Sequence, residues 1–238
     1  MHRGAFLAAL AGGATLPVAG LGVARALAGD DPWPLPTRPL RLPQDGIVRV
    51  AFLLGPMVNV IDTAGPWEVF QDAGAGSGGA SPFQLFAVAE TTAAVDATAG
   101  LTIVPDYAYG EAPQPNVVVV PAHQASPSTH AWLRKVAPAA DVVMSVCTGA
   151  FVLGNAGLLD GRSATTHHDF HTQFESEFPT TRLVRGTRFV EDGPVATAGG
   201  LTSGIDLALR VVERYLGRPA ATGTAAYMEH ESTRWRTA

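Results

Sequence analysis

Residues 142 to 162, VVMSVCTGAFVLGNAGLLDGR, constrain this chain more than any other stretch. Five apolar or small residues, Val142 to Val146, lead straight into Cys147, and Thr148-Gly149-Ala150 opens a helix-like apolar pattern. A buried strand, a tight turn and a helix follow one another, with the chain's single cysteine at the turn. Unpaired N–H groups at a helix start favour a thiolate over a thiol, so Cys147 is expected to titrate below the free-thiol value of about 8.5. Nucleophile elbows use the same strand-to-helix turn to lift a reactive atom above a sheet. The competing reading makes Cys147 a small buried hydrophobe.

The rest of the chain supplies the sheet that such a turn needs. Residues 47–54 (IVRVAFLL), 83–90, 101–104, 117–120, 142–146, 163–166 and 195–198 read as strands, and 117–120 as one buried on both faces. Helices are expected from Asp62, with Pro66 in the first turn, and over 128–136, 148–159 (stopped near Gly161), 169–178, 203–216 and 220–229. Thr202 is the expected cap of the 203–216 helix. A hairpin-type excursion over 183–190 is expected to turn at Glu191-Asp192-Gly193, and Gly74 to Gly79 reads as a surface loop. Strands alternating with helices imply an α/β fold with a mostly parallel, doubly wound sheet, whose sites lie at the carboxyl ends of the strands.

Residues 1–28 read as an export signal: His2 and Arg3 give a positive start, an Ala/Gly/Leu-rich run follows, and Ala26-Leu27-Ala28 suits cleavage before Gly29. Pro17 and Arg25 lean toward the twin-arginine route, although His2-Arg3 stands where paired arginines belong. Residues 29–45, with five prolines between Asp30 and Gln44, form a linker, and 46–238 the folded domain. A net charge of −5 with scattered Lys and Arg argues against nucleic-acid binding. One cysteine excludes an intramolecular disulfide and a cysteine-based zinc cluster.

Few groups are available to move protons for Cys147. Asp62 follows the first strand and is either a helix cap or a carboxyl brought to the thiol, its pKa then raised by the shared charge. His167 and His171 are four apart, a spacing that places both on one helical face, and His167 is a candidate base. No metal and no cofactor are expected, because no third ligand motif accompanies these histidines. Ser203 reads as a structural helix-start residue, and Glu68 as one that faces solvent or caps its helix end.

SVCTGAFVLGNAGLLDGRSATTHHDF resembles the cysteine region of the ThiJ/PfpI superfamily, which has a class I glutamine-amidotransferase-like, flavodoxin-like fold. VIDTAGPWEVF and ATAGGLTSGIDLAL agree with it in the expected order. Asp62 followed by Ala64-Gly65-Pro66, together with Cys147-Thr148-Gly149, looks like the isonitrile hydratase branch, where other branches usually carry Glu at the position of Asp62. That branch also supplies the ligand-binding half of some AraC-type regulators, whose DNA-binding module is not expected in the few residues after Glu229.

The resemblance implies that Cys147 attacks the terminal carbon of an isonitrile, that Asp62 acts as general acid and base, and that Thr148 positions substrate and lends its N–H to developing charge. It places Gly65, Ala122, His123 and His167 around the substrate. Ala122-His123 stands where the superfamily usually has the Gly-Gly pair that completes the anion site, so the second donor is either displaced or replaced by His123. The expected partners are a small-molecule substrate and a second copy of the chain. A glyoxalase- or amidase-type enzyme, and an exported binding protein without turnover, are the alternatives.

Overall fold

The computed structural model describes residues 38–74 and 81–236. The leader-like segment 1–28, most of the 29–45 linker and most of the Gly-rich loop at 74–79 therefore lie outside the described residues.

Seven strands form the central sheet: β1 (Val48–Leu53), β2 (Phe83–Ala89), β5 (Tyr107–Ala108), β6 (Val117–Val120), β7 (Val142–Val146), β10 (Phe189–Asp192) and β11 (Val195–Ala198). Their order is β10-β11-β7-β6-β1-β2-β5, and every neighbouring pair is parallel except β10 and β11. Read from β2 to β11, the five parallel core strands run second, first, third, fourth, fifth, the flavodoxin-like winding. Two short pairs, β3 (Val95–Asp96) with β4 (Thr102–Ile103) and β8 (Ser163–Ala164) with β9 (Arg182–Leu183), stand apart from it.

Strand periodicity explains why the core strands read as continuous apolar runs. Val50, Phe52, Val117, Val119 and Met144 face one core with α1 (Val60–Gln71), α5 (Ser203–Leu216) and α6 (Arg218–Tyr227). Ala51, Leu53, Val118, Val120 and Val143 face the other, against α2 (Pro127–Val136), α3 (Gly149–Asn155) and α4 (His171–Glu177). A strand covered on both faces favours apolar residues throughout, and only the small Ser145 and Thr197 depart from that on β7 and β11.

Several local expectations shift. The helix α1 begins at Val60, not Asp62, because Asn59 caps it by accepting from the N–H groups of Ile61 and Asp62. Pro66 then lies inside the helix, where its missing N–H frees the carbonyl of Asp62. The helix α3 stops at Asn155, with Gly157 at φ 75° turning the chain earlier than Gly161. Thr202 precedes α5 without a side-chain cap. The hairpin is β10–β11 and turns at Gly193-Pro194, so Glu191 and Asp192 are strand residues. Residues 101–104 contribute only β4, outside the main sheet.

Candidate active site

The switch of winding direction falls between β1 and β6, and both carboxyl ends there are tied to the start of α1. Asn59 N–H donates to the Ala122 carbonyl at 2.8 Å, and Ala122 N–H donates to Asp62 Oδ2 at 3.2 Å. This reciprocal clasp holds Asp62 on the core side of its helix, fully buried. Its second oxygen, Oδ1, has no hydrogen-bond partner. Burial pushes the Asp62 carboxyl up to about 7, and the Ala122 N–H offsets only part of that.

One strand further along the sheet, β7 delivers Cys147 with φ 58°, a left-handed backbone that non-glycine residues rarely adopt. Its surroundings fix that conformation. Cys147 N–H is shared between the carbonyls of Gly199 (2.8 Å) and Ala198 (3.2 Å), and its carbonyl accepts from Thr166 Oγ1 at 2.9 Å. Gly149 lets the first turn of α3 rest on the end of β6, since a Cβ there would stand 2.1 Å from the Val120 carbonyl oxygen. Gly149→Ala is therefore expected to cost about 3 kcal/mol or more and to displace the elbow. Urea unfolding measures the loss, and an unchanged midpoint contradicts this packing.

The thiol is 7% exposed, close to the surface but mostly covered. Three groups stabilise negative charge on its sulfur: Thr148 N–H, Leu201 N–H and the Thr148 hydroxyl. Burial, and after it the charge of Asp62, outweigh them and push the thiol up to about 11. The expectation of a thiol titrating below about 8.5 is thereby corrected: α3 has seven residues, and the field of its first turn is weaker than the desolvation of the sulfur. The charge of Asp62 raises the thiol without a hydrogen bond between the two side chains, and the acid is the more easily ionised member. At neutral pH the thiol keeps its proton beside a carboxyl poised between its two forms.

The remaining expected residues are dispersed. Gly65 is buried between α1 and α5, where a Cβ would lie 2.9 Å from Ile205 Cγ1, so its lack of a side chain lets the two helices pack. Ala122 spends its N–H on Asp62 instead of offering it to a ligand. The His123 ring covers Gly55 at the end of β1, and its Nδ1 lies 2.8 Å from the Pro121 carbonyl. That contact makes Nδ1 the protonated nitrogen, burial pushes the ring down to about 4, and Nε2 is left without a donor.

His167 and His171 do not share a helical face, because a 3-10 turn over His168–Phe170 separates them. His167 Nδ1 accepts from Asp169 N–H, and its ring stacks on His168 at 4.4 Å. His171 Nε2 lies 3.2 Å from the Thr166 carbonyl. The ligand atoms of His167, His168 and Asp169 fall within 4.8 Å of one another, a local cluster in which His168 and Asp169 are exposed. The sequence reading missed Leu201, whose contribution is a backbone N–H and has no residue-type signature. The only trace of it in the sequence is the preceding Gly199-Gly200, which opens the turn where Leu201 takes a φ of 49°.

The DJ-1/PfpI family profile matches residues 48–214. The chain belongs to the DJ-1/PfpI family. Among its relatives, isonitrile hydratase of Pseudomonas putida is 32% identical over 190 residues, covering 77% of this chain and 78% of that protein. The HTH-type transcriptional regulator CdhR of Pseudomonas aeruginosa is 35% identical over 97 residues, 41% of this chain and 29% of the regulator. Among solved structures, a THiJ/PfpI family protein from Pseudomonas syringae superposes with a TM-score of 0.69 at 26% identity, covering 78% of this chain and 76% of its own. Drosophila melanogaster DJ-1beta shares the DJ-1/PfpI fold at a TM-score of 0.67 and 18% identity, over 78% of this chain and 100% of its own.

Proposed function

We propose that this protein hydrates isonitriles to N-substituted formamides, with Cys147 as nucleophile and Asp62 as its proton-transfer partner. The observation that carries this reading is the pair itself: a protonated thiol beside a buried carboxyl that titrates near 7 and has one oxygen free of partners. A general acid–base residue works best with a pKa near the operating pH. The likeness to isonitrile hydratase over most of both chains supports the choice of substrate.

The reaction needs no change of oxidation state. Asp62 takes the thiol proton as Sγ bonds to the terminal carbon of R–N≡C, and returns it to that carbon, leaving the thioimidate R–N=CH–S. Asp62 then takes one proton from water as the oxygen adds to the same carbon and passes it to the nitrogen, giving R–NH–CH(OH)–S. In the next step Asp62 relays the hydroxyl proton to the departing sulfur. Collapse breaks the C–S bond, releases R–NH–CHO and restores the thiol. Thr148 and Leu201 N–H groups stabilise the sulfur whenever it carries charge, during attack and again on departure. The leader-like residues 1–28 support placing this activity outside the cytoplasm.

Formamide production from a panel of alkyl and aryl isonitriles tests the proposal. Wild-type turnover is expected, and Cys147→Ala is expected to abolish it. Persistence of turnover in that variant excludes the mechanism.

One observation favours a second reading, a ligand-binding protein without turnover: Ala122 N–H is already bonded to Asp62, so the anion site has one donor fewer. The partial likeness to a transcriptional regulator agrees with it. Saturable isonitrile binding with no formamide would decide for that alternative.

A further inference from the structure

A cavity of about 500 Å³ is lined by Thr166, Gly199 and Leu201, which hold the Cys147 turn, while Cys147 itself lies outside the lining. It shares three walls with the thiol's own surroundings. Thr166 holds the Cys147 carbonyl, Gly199 accepts the Cys147 N–H, and Leu201 donates to the sulfur, and all three also line the cavity. Its titratable lining is His167, His168, His171, Arg188 and Arg234, without a carboxylate. In a chain with 21 acidic and 16 basic residues, an acid-free cavity bearing two arginines departs from the average surface and favours an anion.

The positive charge resides mainly on the arginines. Burial holds His167 and His171 below the ordinary histidine range, so both are largely neutral at pH 7. Asp169 faces His167 and His168 at the rim. Arg188 gives its Nε to the buried Asp206, which also meets His230. The terminal nitrogens of Arg188 make only long contacts, 3.3 and 3.4 Å, to Thr202 Oγ1, leaving donors for a ligand. Arg234 is exposed and forms no ion pair with a described residue. A planar guanidinium with free N–H groups suits a carboxylate.

We infer that this cavity receives a carboxylate on the non-reacting part of the substrate, held by Arg188 and Arg234 while the electrophilic carbon reaches Cys147. The inference rests on the proposed reactivity of Cys147, but it predicts a charge preference that can be read without any isonitrile. Iodoacetate and iodoacetamide alkylate a thiol by the same displacement of iodide and differ in carrying a carboxylate or a neutral amide.

In the full chain, the ratio of iodoacetate to iodoacetamide rates at Cys147 is expected to fall about three- to tenfold in Arg234→Gln. It should also fall in Arg188→Lys, which keeps a cation on Asp206 but removes the fork. A ratio unmoved in both variants overturns the inference, as does an equal loss of both rates. In a second arm, kcat/KM for 4-isocyanobenzoate is compared with that for its neutral methyl ester. If neither isonitrile is turned over yet the alkylation ratio falls, the hydratase reading fails and the anion site stands. If both are turned over without preference and the ratio is unmoved, the anion site fails and the hydratase reading stands.

Discussion

Replacing Asp62 with Asn is expected to lower isonitrile turnover by about 10²–10⁴-fold, the usual contribution of a general acid–base group, while making the protein more stable. The two effects have one origin. Folding raises the carboxyl from 3.8 to about 7 because Asp62 is buried, so the folded protein holds its proton more tightly than the unfolded chain does. The stability associated with that proton is fully present below pH 4 and is lost as the pH rises through 7. Above that range, keeping an ionised carboxylate in the core costs on the order of 4 kcal/mol. Asparagine keeps the side-chain carbonyl that accepts from Ala122 N–H and never ionises. Urea unfolding at pH 8 should therefore favour Asp62→Asn by about 2 kcal/mol or more, and the gain should vanish at pH 4. A variant that loses activity and is destabilised at pH 8 would mean that Asp62 is held by contacts the wild type needs in its charged form.

The second large effect lies far from the thiol. Glu191 on β10 is 2% exposed and accepts from Arg210 Nε at 2.8 Å and Arg214 Nη1 at 2.7 Å, both from α5. The two arginines are themselves buried, at 3% and 8% exposed. Glu191→Ala leaves two guanidinium groups in the interior without their shared carboxylate, and is expected to cost about 3–5 kcal/mol. Chemical denaturation measures it. Because α5 also packs on α1 through Gly65 and Ile205, loosening it should disturb Asp62 as well, and activity should fall before global unfolding. A loss of less than 1 kcal/mol would show that the arginines find other partners.

How much of this was legible in the chain differs by element. The strands at 117–120 and 142–146 are plain in the sequence because burial on both faces selects apolar residues, Ser145 being the one small polar exception. The Cys147 turn is plain because a glycine two residues on is needed for the close approach of α3 to β6. Asp62 stands out in the sequence, but the start of its helix does not, since Asn59 is fixed in part by a carbonyl more than sixty residues away.

Glu191 read as a turn residue because charged side chains usually mark turns, and nothing local reveals the two arginines that neutralise it. The thiol's titration was read with the wrong sign for a similar reason. The helix start is a local feature that the sequence displays, whereas desolvation and the nearby carboxylate are products of the tertiary fold.

The proposed chemistry depends on a thiol kept protonated at neutral pH by its burial and by the charge of Asp62. Measuring the iodoacetamide alkylation rate of Cys147 against pH, in the wild type and in Asp62→Asn, tests this most directly. The midpoint should lie near 11 in the wild type and move down once the carboxylate is gone. A wild-type midpoint at or below about 8.5, or one that Asp62→Asn leaves in place, would contradict it.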